Sequence, residues 1–275
     1  MRLLIHTGGT IGMGPGPHGL LPAPGVVERA VAGQARVVAF DPLLDSADVD
    51  FRHWNRLLDQ IGEESGPVIV THGTDTMSWT GAALSQALAG WPHPVVLTGA
   101  MHPLGSGGDA EGNLALALSC APGPGVWLAF AGRLLPAAGL VKSDSRRDDA
   151  FRAVAMPIPH GPFRRRRFAD RRLSVVTVVP GQSPALLEAA LAHLEGAVLR
   201  VFGTGTVPSS PAITAVLAAA VARGVRLRAV SVCENGGLVP GSYAAGQGLW
   251  AAGVENGGAE TVEAAMAALW LEDAP

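Results

Sequence analysis

Two short apolar runs each end in a glycine-rich turn that delivers a threonine, and this pairing narrows the folds open to the chain. The first run reads Leu3-Leu4-Ile5-His6-Thr7-Gly8-Gly9-Thr10-Ile11-Gly12, and the second Pro67-Val68-Ile69-Val70-Thr71-His72-Gly73-Thr74-Asp75-Thr76. Uninterrupted apolar runs of strand length suit a parallel sheet buried on both faces, which presents reactive groups at the carboxyl ends of its strands. Glycine at those ends admits positive φ and lets a ligand come close to the main chain. One such turn is commonplace. Two, each on an exposed turn with a threonine, predict a shared site.

The remaining sequence alternates apolar runs with helical periodicity, the pattern of a parallel sheet covered by helices. Strands are expected over 2–7, 36–40, 67–71, 94–98, 126–130 and 137–141, and helices over 24–32, 51–62, 76–89 and 110–120. Asp109 is placed to cap the fourth helix, and Asp75 or Thr74 the third. Residues 156–172 contain Met156-Pro157-Ile158-Pro159-His160-Gly161-Pro162 and the run Arg164-Arg165-Arg166-Arg167, and they break the rhythm as a linker would. It resumes over 174–179, 184–194, 197–202, 211–223 and 226–232, with a last helix over 261–271. The expected organisation is α/β: an N-terminal domain over 1–155 carrying both threonines, a linker over 156–172, and a smaller C-terminal α/β domain over 173–275.

With 275 residues, 48% hydrophobic and 16% charged, and a net charge of −3, the chain can bury a large core beneath a near-neutral surface. That balance points to neither nucleic acid nor a membrane as partner. The arginine run reads as solvated linker, because no aromatic-rich sheet or recognition helix accompanies it. Cys120 and Cys233 lack metal-ligand spacing and read as small buried hydrophobes. His72 reads as a satisfied structural histidine, since no second ligand stands at a sensible spacing, and neither a metal nor another cofactor is expected. Gly8-Gly9 and Gly203-Thr204-Gly205 make neither a dinucleotide fingerprint nor a P-loop. The first strand begins at residue 2 or 3 and no apolar run reaches ~18 residues, so a cytoplasmic protein without leader or membrane span is expected.

The stretches TGGTIG and HGTDTM resemble the two diagnostic signatures of the bacterial-type L-asparaginases, threonine amidohydrolases that include glutaminase-asparaginases. The resemblance continues through Thr98-Gly99-Ala100-Met101, Gly108-Asp109-Ala110-Glu111-Gly112-Asn113-Leu114, Gly139-Leu140-Val141-Lys142-Ser143-Asp144-Ser145, Gly203-Thr204-Gly205-Thr206-Val207-Pro208 and Ser242-Tyr243-Ala244-Ala245-Gly246. It implies a larger flavodoxin-like parallel-sheet domain followed by a smaller C-terminal α/β domain. It also implies hydrolysis of the side-chain amide of L-asparagine, with weaker activity on L-glutamine allowed. An amidase subunit of a tRNA-dependent amidotransferase shares these motifs, and a catalytically weak asparagine-binding sensor is the non-enzymatic alternative.

Amide hydrolysis needs a nucleophile, a proton acceptor for it, donors for the developing oxyanion and a proton for the leaving ammonia. Thr10 and Thr74 are the candidate nucleophiles, and either hydroxyl is inert unless a base lies within hydrogen-bond reach. Lys142 ends an apolar strand, where burial favours its neutral form; a surface lysine at a strand end is the bland alternative. A turn threonine bonded to its own backbone is the bland alternative for Thr10. By the resemblance, Thr74, Asp75 and Lys142 form one triad, and Thr10 is the hydroxyl most often assigned the attack.

The resemblance also assigns the substrate contacts. Asp75 would take the α-ammonium, and Ser46 the α-carboxylate. The backbone carbonyl of Ala100 would receive the side-chain amide, with Gly9 and Thr74 lining the pocket. Ala47 stands where relatives often carry a polar residue, which leaves the head group one contact short. The loop after the first motif normally presents a tyrosine, but here it reads Gly19-Leu20-Leu21-Pro22, so Leu20 stands in that place. Residues 12–24 read as a lid; either the Thr74–Asp75–Lys142 set works alone or another group such as His18 supplies the missing function. Self-association as a dimer or tetramer is implied, with Glu234 the candidate acidic residue offered to a neighbour's site.

Overall fold

The computed structural model describes residues 2–156 and 161–273, so residues 157–160 of the expected linker lie outside the described residues. The described chain divides into two compact units. The first comprises the residues up to Ala153 together with 161–168, and the second comprises 154–156 with Ala169–Glu272. Half of the expected linker therefore clusters with the first unit. The cause is visible in its side chains: Phe168 is buried, its backbone exchanges two hydrogen bonds with the Asn55 amide, and Arg165 and Arg167 pair with Asp59. These ion pairs hold the Asp59 carboxyl below its ordinary range. The arginine run is anchored there rather than freely solvated.

The first unit contains, in chain order, β1 (Arg2–Gly8), β2 (Met13–Gly16), β3 (Gly19–Pro22), α1 (Val26–Ala30), β4 (Ala35–Leu44), α2 (Phe51–Gly62), β5 (Val68–Thr71), α3 (Met77–Ala87), β6 (Pro94–Thr98), α4 (Ala110–Ser119), β7 (Gly125–Phe130), β8 (Arg133–Pro136), β9 (Leu140–Lys142), β10 (Phe151–Ala153) and β11 (Arg166–Phe168). Six strands form one sheet in the order β4-β1-β5-β6-β7-β8. All of its pairings are parallel except β7 with β8. In order of appearance the parallel strands run 2-1-3-4-5, the flavodoxin-like arrangement.

Alternation along the strands sends side chains to opposite faces, and both faces are covered. Leu3, Ile5, Val68, Val70, Val95 and Leu97 pack with Leu57 and Ile61 of α2 and Met77 and Leu84 of α3. Leu4, Ile69, Val96 and Ala129 pack with Val27 of α1 and Ala110, Leu114 and Ala117 of α4. Each fully buried aliphatic side chain of this kind contributes about 2 kcal/mol. A two-sided core fixes the register of β1 against β5, and so fixes where their turns emerge.

The second unit contains β12 (Leu173–Thr177), α5 (Pro184–Leu191), β13 (Gly196–Val201), α6 (Pro211–Ala222), β14 (Arg226–Ser231), α7 (Gln247–Ala251), β15 (Glu255–Asn256) and α8 (Val262–Trp270). Its four-stranded sheet runs β12-β13-β14-β15, all parallel. Leu187, Leu191, Ile213 and Leu217 pack against Ala197, Leu199, Leu227 and Ala229. Ser183 caps α5 ahead of Pro184, and Thr261 caps α8.

Three local expectations fail. Of the strand placed at 137–141 only the end is strand, Leu140–Lys142 pairing with β10, while the unexpected strand Arg133–Pro136 runs back along β7 just before it. Buried Ala137 and Ala138 made a turn look like strand. Asp109 stands at the start of α4, but its carboxylate is used elsewhere, and α3 starts at Thr76 with neither Asp75 nor Thr74 capping it. Cys233 is exposed rather than buried, whereas Cys120 is half-buried against the core beside α4; both are free thiols. Among the described residues no helix is long and apolar enough to cross a membrane, and no cluster of side chains suits a metal ion.

Candidate active site

The carboxyl ends of β1 and β5 lie side by side at the switch point of the sheet, where the chain first moves from β1 to β4 on one side and then to β5 on the other. His6 is in register with Thr71, and Thr71 with Thr98. The two glycine turns leave from this level and touch. A Cβ on Gly9 would meet the Gly73 nitrogen at 2.4 Å, and one on Gly73 would meet the Ser46 hydroxyl at 2.5 Å. Gly9 adopts φ 86 and ψ 171, a conformation essentially reserved for glycine. Gly9 and Gly73 are thus packed backbone to backbone, and the Ser46 side chain closes on Gly73 with no room for a further Cβ.

Thr10 opens a 3-10 turn, Thr10–Gly12, which is tied down when Gly12 N–H donates to the Gly9 carbonyl. It is half-exposed, and its hydroxyl makes no hydrogen bond among the described residues, so the backbone-bonded turn reading does not apply. Thr74 is only 8% exposed, which corrects the expectation that both threonines sit on exposed turns. Lys142 arrives from the end of β9, anchored by buried Leu140 and by pairing with Phe151. Its Nζ donates to Thr74 Oγ1 at 3.0 Å and to Asp75 Oδ1 at 2.6 Å. The Lys142 side chain is 16% exposed and that of Asp75 72%. The ammonium is therefore sheltered, while the carboxylate that holds it still faces outward.

Asp75 cannot cap α3 because Lys142 engages its carboxylate, and Thr76 cannot because its hydroxyl donates to the Ser46 carbonyl at 2.6 Å. Ser46 begins the 3-10 turn Ser46–Asp48 and is 5% exposed; Asp45 caps that turn by accepting from Ala47 N–H. Ala47 itself is exposed and offers no polar side-chain group. Residues 13–22 form the β2–β3 hairpin, with Pro17-His18 as its two-residue turn and Leu20 paired to Pro15. His18 and Leu20 are exposed there, and no hydrogen bond joins His18 to Thr10. Glu234 belongs to the second unit.

Ala100 follows β6 and is buried. Its turn is held by two residues whose part the sequence reading missed. The Asp109 carboxylate accepts from the N–H groups of Met101 and His102 and from Asn113 Nδ2. Asn113 Nδ2 also donates to the Gly99 carbonyl at 3.0 Å, while its Oδ1 accepts from Ala131 N–H at 2.8 Å. A side-chain acid and amide four residues apart on one helix face were the available signal. A cap reading used up the acid.

Two buried histidines flank the turns. His6 Nδ1 lies 2.7 Å from the Thr71 hydroxyl, and burial lowers its pKa against an opposing pull from Glu28. His72 is 1% exposed, and burial lowers its pKa to about 4. Both are therefore neutral near pH 7, and His72 is the satisfied structural histidine expected. The arrangement offers two hydroxyls, a sheltered amine touching one of them, and an outward carboxylate suited to a cation.

Comparison with known proteins agrees with this geometry. Residues 3–163 match the family described as asparaginase, N-terminal, and residues 172–271 the glutaminase/asparaginase C-terminal domain. The chain is 30% identical over 302 residues to L-asparaginase 1 of Escherichia coli, covering 97% of this chain and 89% of that one. The crystal structure of L-asparaginase I from Vibrio cholerae superposes with a TM-score of 0.83 at 29% identity, covering 98% of this chain and 91% of that one. The thermostable L-asparaginase from Thermococcus kodakarensis gives a TM-score of 0.82 at 27% identity, over 98% and 92% of the two chains. Matched along almost its whole length in both sequence and fold, the chain belongs to the asparaginase family.

Proposed function

We propose that this chain hydrolyses the side-chain amide of L-asparagine to L-aspartate and ammonia, with weaker activity on L-glutamine. The observation that carries the proposal is the Lys142 amine 3.0 Å from Thr74 Oγ1 and 2.6 Å from Asp75, beside a turn on which Gly9 delivers Thr10. Thr10 Oγ attacks the amide carbon, and its proton passes to the base and on to the leaving ammonia. Backbone N–H groups of Thr10 and Thr74 receive the oxyanion. The resulting acyl-threonine is hydrolysed by water activated through Thr74 and Lys142. Asp75 and Ser46 hold the α-ammonium and α-carboxylate, the Ala100 carbonyl receives the amide, and Gly9 and Thr74 line the pocket.

The same reading makes the protein a cytoplasmic enzyme that works as a dimer or a tetramer of two such dimers. Its free thiols Cys120 and Cys233 suit a reducing compartment. Glu234 is the residue offered to a neighbour's substrate ammonium, as closed two-fold assembly allows. Ammonia release from purified protein with asparagine, glutamine or buffer alone tests the activity. Release with neither amide refutes it, and an active monomer by sedimentation at assay concentration refutes the assembly.

A further inference from the structure

Behind the Thr74 turn lies a chain of buried polar side chains that the proposed chemistry does not use. Trp54 of α2, 3% exposed, donates its Nε1–H to the hydroxyl of Thr80 at 2.9 Å. Thr80 on α3 is fully buried, and its hydroxyl lies 2.9 Å from His72 Nε2. His72 Nδ1 lies 2.7 Å from the backbone oxygen of Gly73, the residue before Thr74.

Proton counting gives this chain a direction. A carbonyl oxygen only accepts, so His72 Nδ1 carries hydrogen. A buried ring that stays neutral near pH 7 then has a bare Nε2, which accepts from the Thr80 O–H. The Thr80 oxygen in turn accepts from Trp54, whose indole N–H can only donate. Each donor of the chain meets an acceptor, and the direction runs one way, from α2 to the Gly73 carbonyl. Trp54 is itself held by the edge of the Phe168 ring, with centroids 5.2 Å apart.

We propose that Trp54, Thr80 and His72 are positioning residues that lock the Gly73 carbonyl and so fix where the Thr74 hydroxyl stands against Lys142. The lock depends on one tautomer. With hydrogen on Nε2 instead, a bare Nδ1 would face the Gly73 oxygen lone pair to lone pair, and the peptide would turn away. Gly73 can follow such a turn more freely than other residues, having no Cβ. Thr80→Val removes the donor that keeps Nε2 bare at nearly the same shape, whereas Thr80→Ser keeps a hydroxyl.

The inference rests on the proposed amide hydrolysis only for its kinetic arm. Long-range proton–nitrogen correlation spectra of histidine-labelled protein, with His72 assigned by its absence in His72→Gln, should place the ring hydrogen on Nδ1. Thr80→Val should shift that ring toward the other tautomer and move the Gly73 and Thr74 amide signals. It should lower kcat at least ~10-fold with KM within about threefold, as misplacement of a reacting group does, and Thr80→Ser should recover most of the loss. Should Thr80→Val not fold, Thr80→Ala, which also removes the hydroxyl, takes its place with the same readouts in the same direction. Hydrogen on Nε2 in the wild-type ring overturns the proposal, as does a folded Thr80→Val protein with wild-type kcat and unmoved amide signals. If the wild type releases no ammonia, the functional reading fails, and the ring tautomer and amide signals alone decide the relay.

Discussion

Gly9→Ala tests whether contact between the two turns is what makes the site. A Cβ there would stand 2.4 Å from the Gly73 nitrogen and 2.5 Å from its Cα, whereas ordinary contact begins at 3.4 Å. Both obstacles are backbone, so no side-chain rotation relieves the clash, and the turns must separate by about 1 Å. Displacing a reacting group by ~1 Å costs about 10²-fold in rate. Separately, the φ of 86 with ψ of 171 strains an alanine by about 2 kcal/mol, or ~4–8 °C in Tm. Gly33→Ala supplies the control: φ is +75 there and a Cβ meets nothing within 4 Å, so only the strain remains. The expected result is that both variants melt earlier, while kcat for ammonia release falls ~10²-fold in Gly9→Ala alone. A folded Gly9→Ala enzyme within about threefold of wild-type kcat would refute the reasoning.

Thr10→Ala and Thr74→Ala should each lower turnover at least ~10²-fold, with near-normal turnover in Thr10→Ala withdrawing its nucleophile role. Lys142→Met keeps the stem and deletes the amine, so its effect should fall on kcat; a rise in KM alone would make Lys142 a binding residue. His72 has a folded-state pKa of about 4, below the ordinary 6.5, so its stabilising contribution is whole above ~6.5 and is lost as pH falls toward 4. At 1.36 kcal/mol per unit this amounts to about 3 kcal/mol over that window, with His6 acting in the same direction. Tm should therefore drop between about pH 7.5 and about pH 5, and His72→Asn should flatten the drop; a flat wild-type profile contradicts it. Leu20→Tyr should raise kcat/KM if the β2–β3 hairpin closes over Thr10, and Leu20→Ala should leave most activity; total loss in Leu20→Ala would show that the leucine itself is needed.

The parallel sheet was legible because both of its faces are buried, which leaves uninterrupted runs such as residues 67–71 that few other folds use. The span of α2 was equally plain, expected over 51–62 and found at Phe51–Gly62, where Asp50 and His53 form a capping box at its first turn. What stayed hidden was the assignment of polar side chains that had two possible partners. Asp109 reads as a cap yet is drawn to the Met101 turn, whereas Asp75, read locally as a cap, meets Lys142 as only the family resemblance implied. Lys142 is 68 residues from Thr74 in sequence, a separation no local pattern spans. The short strand Arg133–Pro136 was missed because its neighbour Ala137 is buried against Gly81 of α3, so an apolar turn imitated a strand. The Trp54–Thr80–His72 chain was invisible for the same reason: each member looks like a core residue alone.

The glycines at this site act by removing volume. Gly8 lies against the Leu44 carbonyl, Gly9 against Gly73, Gly73 against Ser46, and Gly99 against the His72 carbonyl, each with a would-be Cβ within 2.5 Å of its neighbour. Loops at strand ends usually stand apart because side chains fill the space between them. Here the turns after β1, β5 and β6 close on one another main chain to main chain, and the turn after β4 closes on Gly73 through the Ser46 side chain. That compression brings the four turns into direct contact and leaves main-chain N–H and C=O groups between them. It also means that fixing one peptide fixes the next. The Asp109–Asn113 clamp on the Ala100 turn and the His72 bond on the Gly73 turn therefore act on one continuous packed surface rather than on two loops, so loosening either should degrade the alignment of Thr10 as well as that of its own turn.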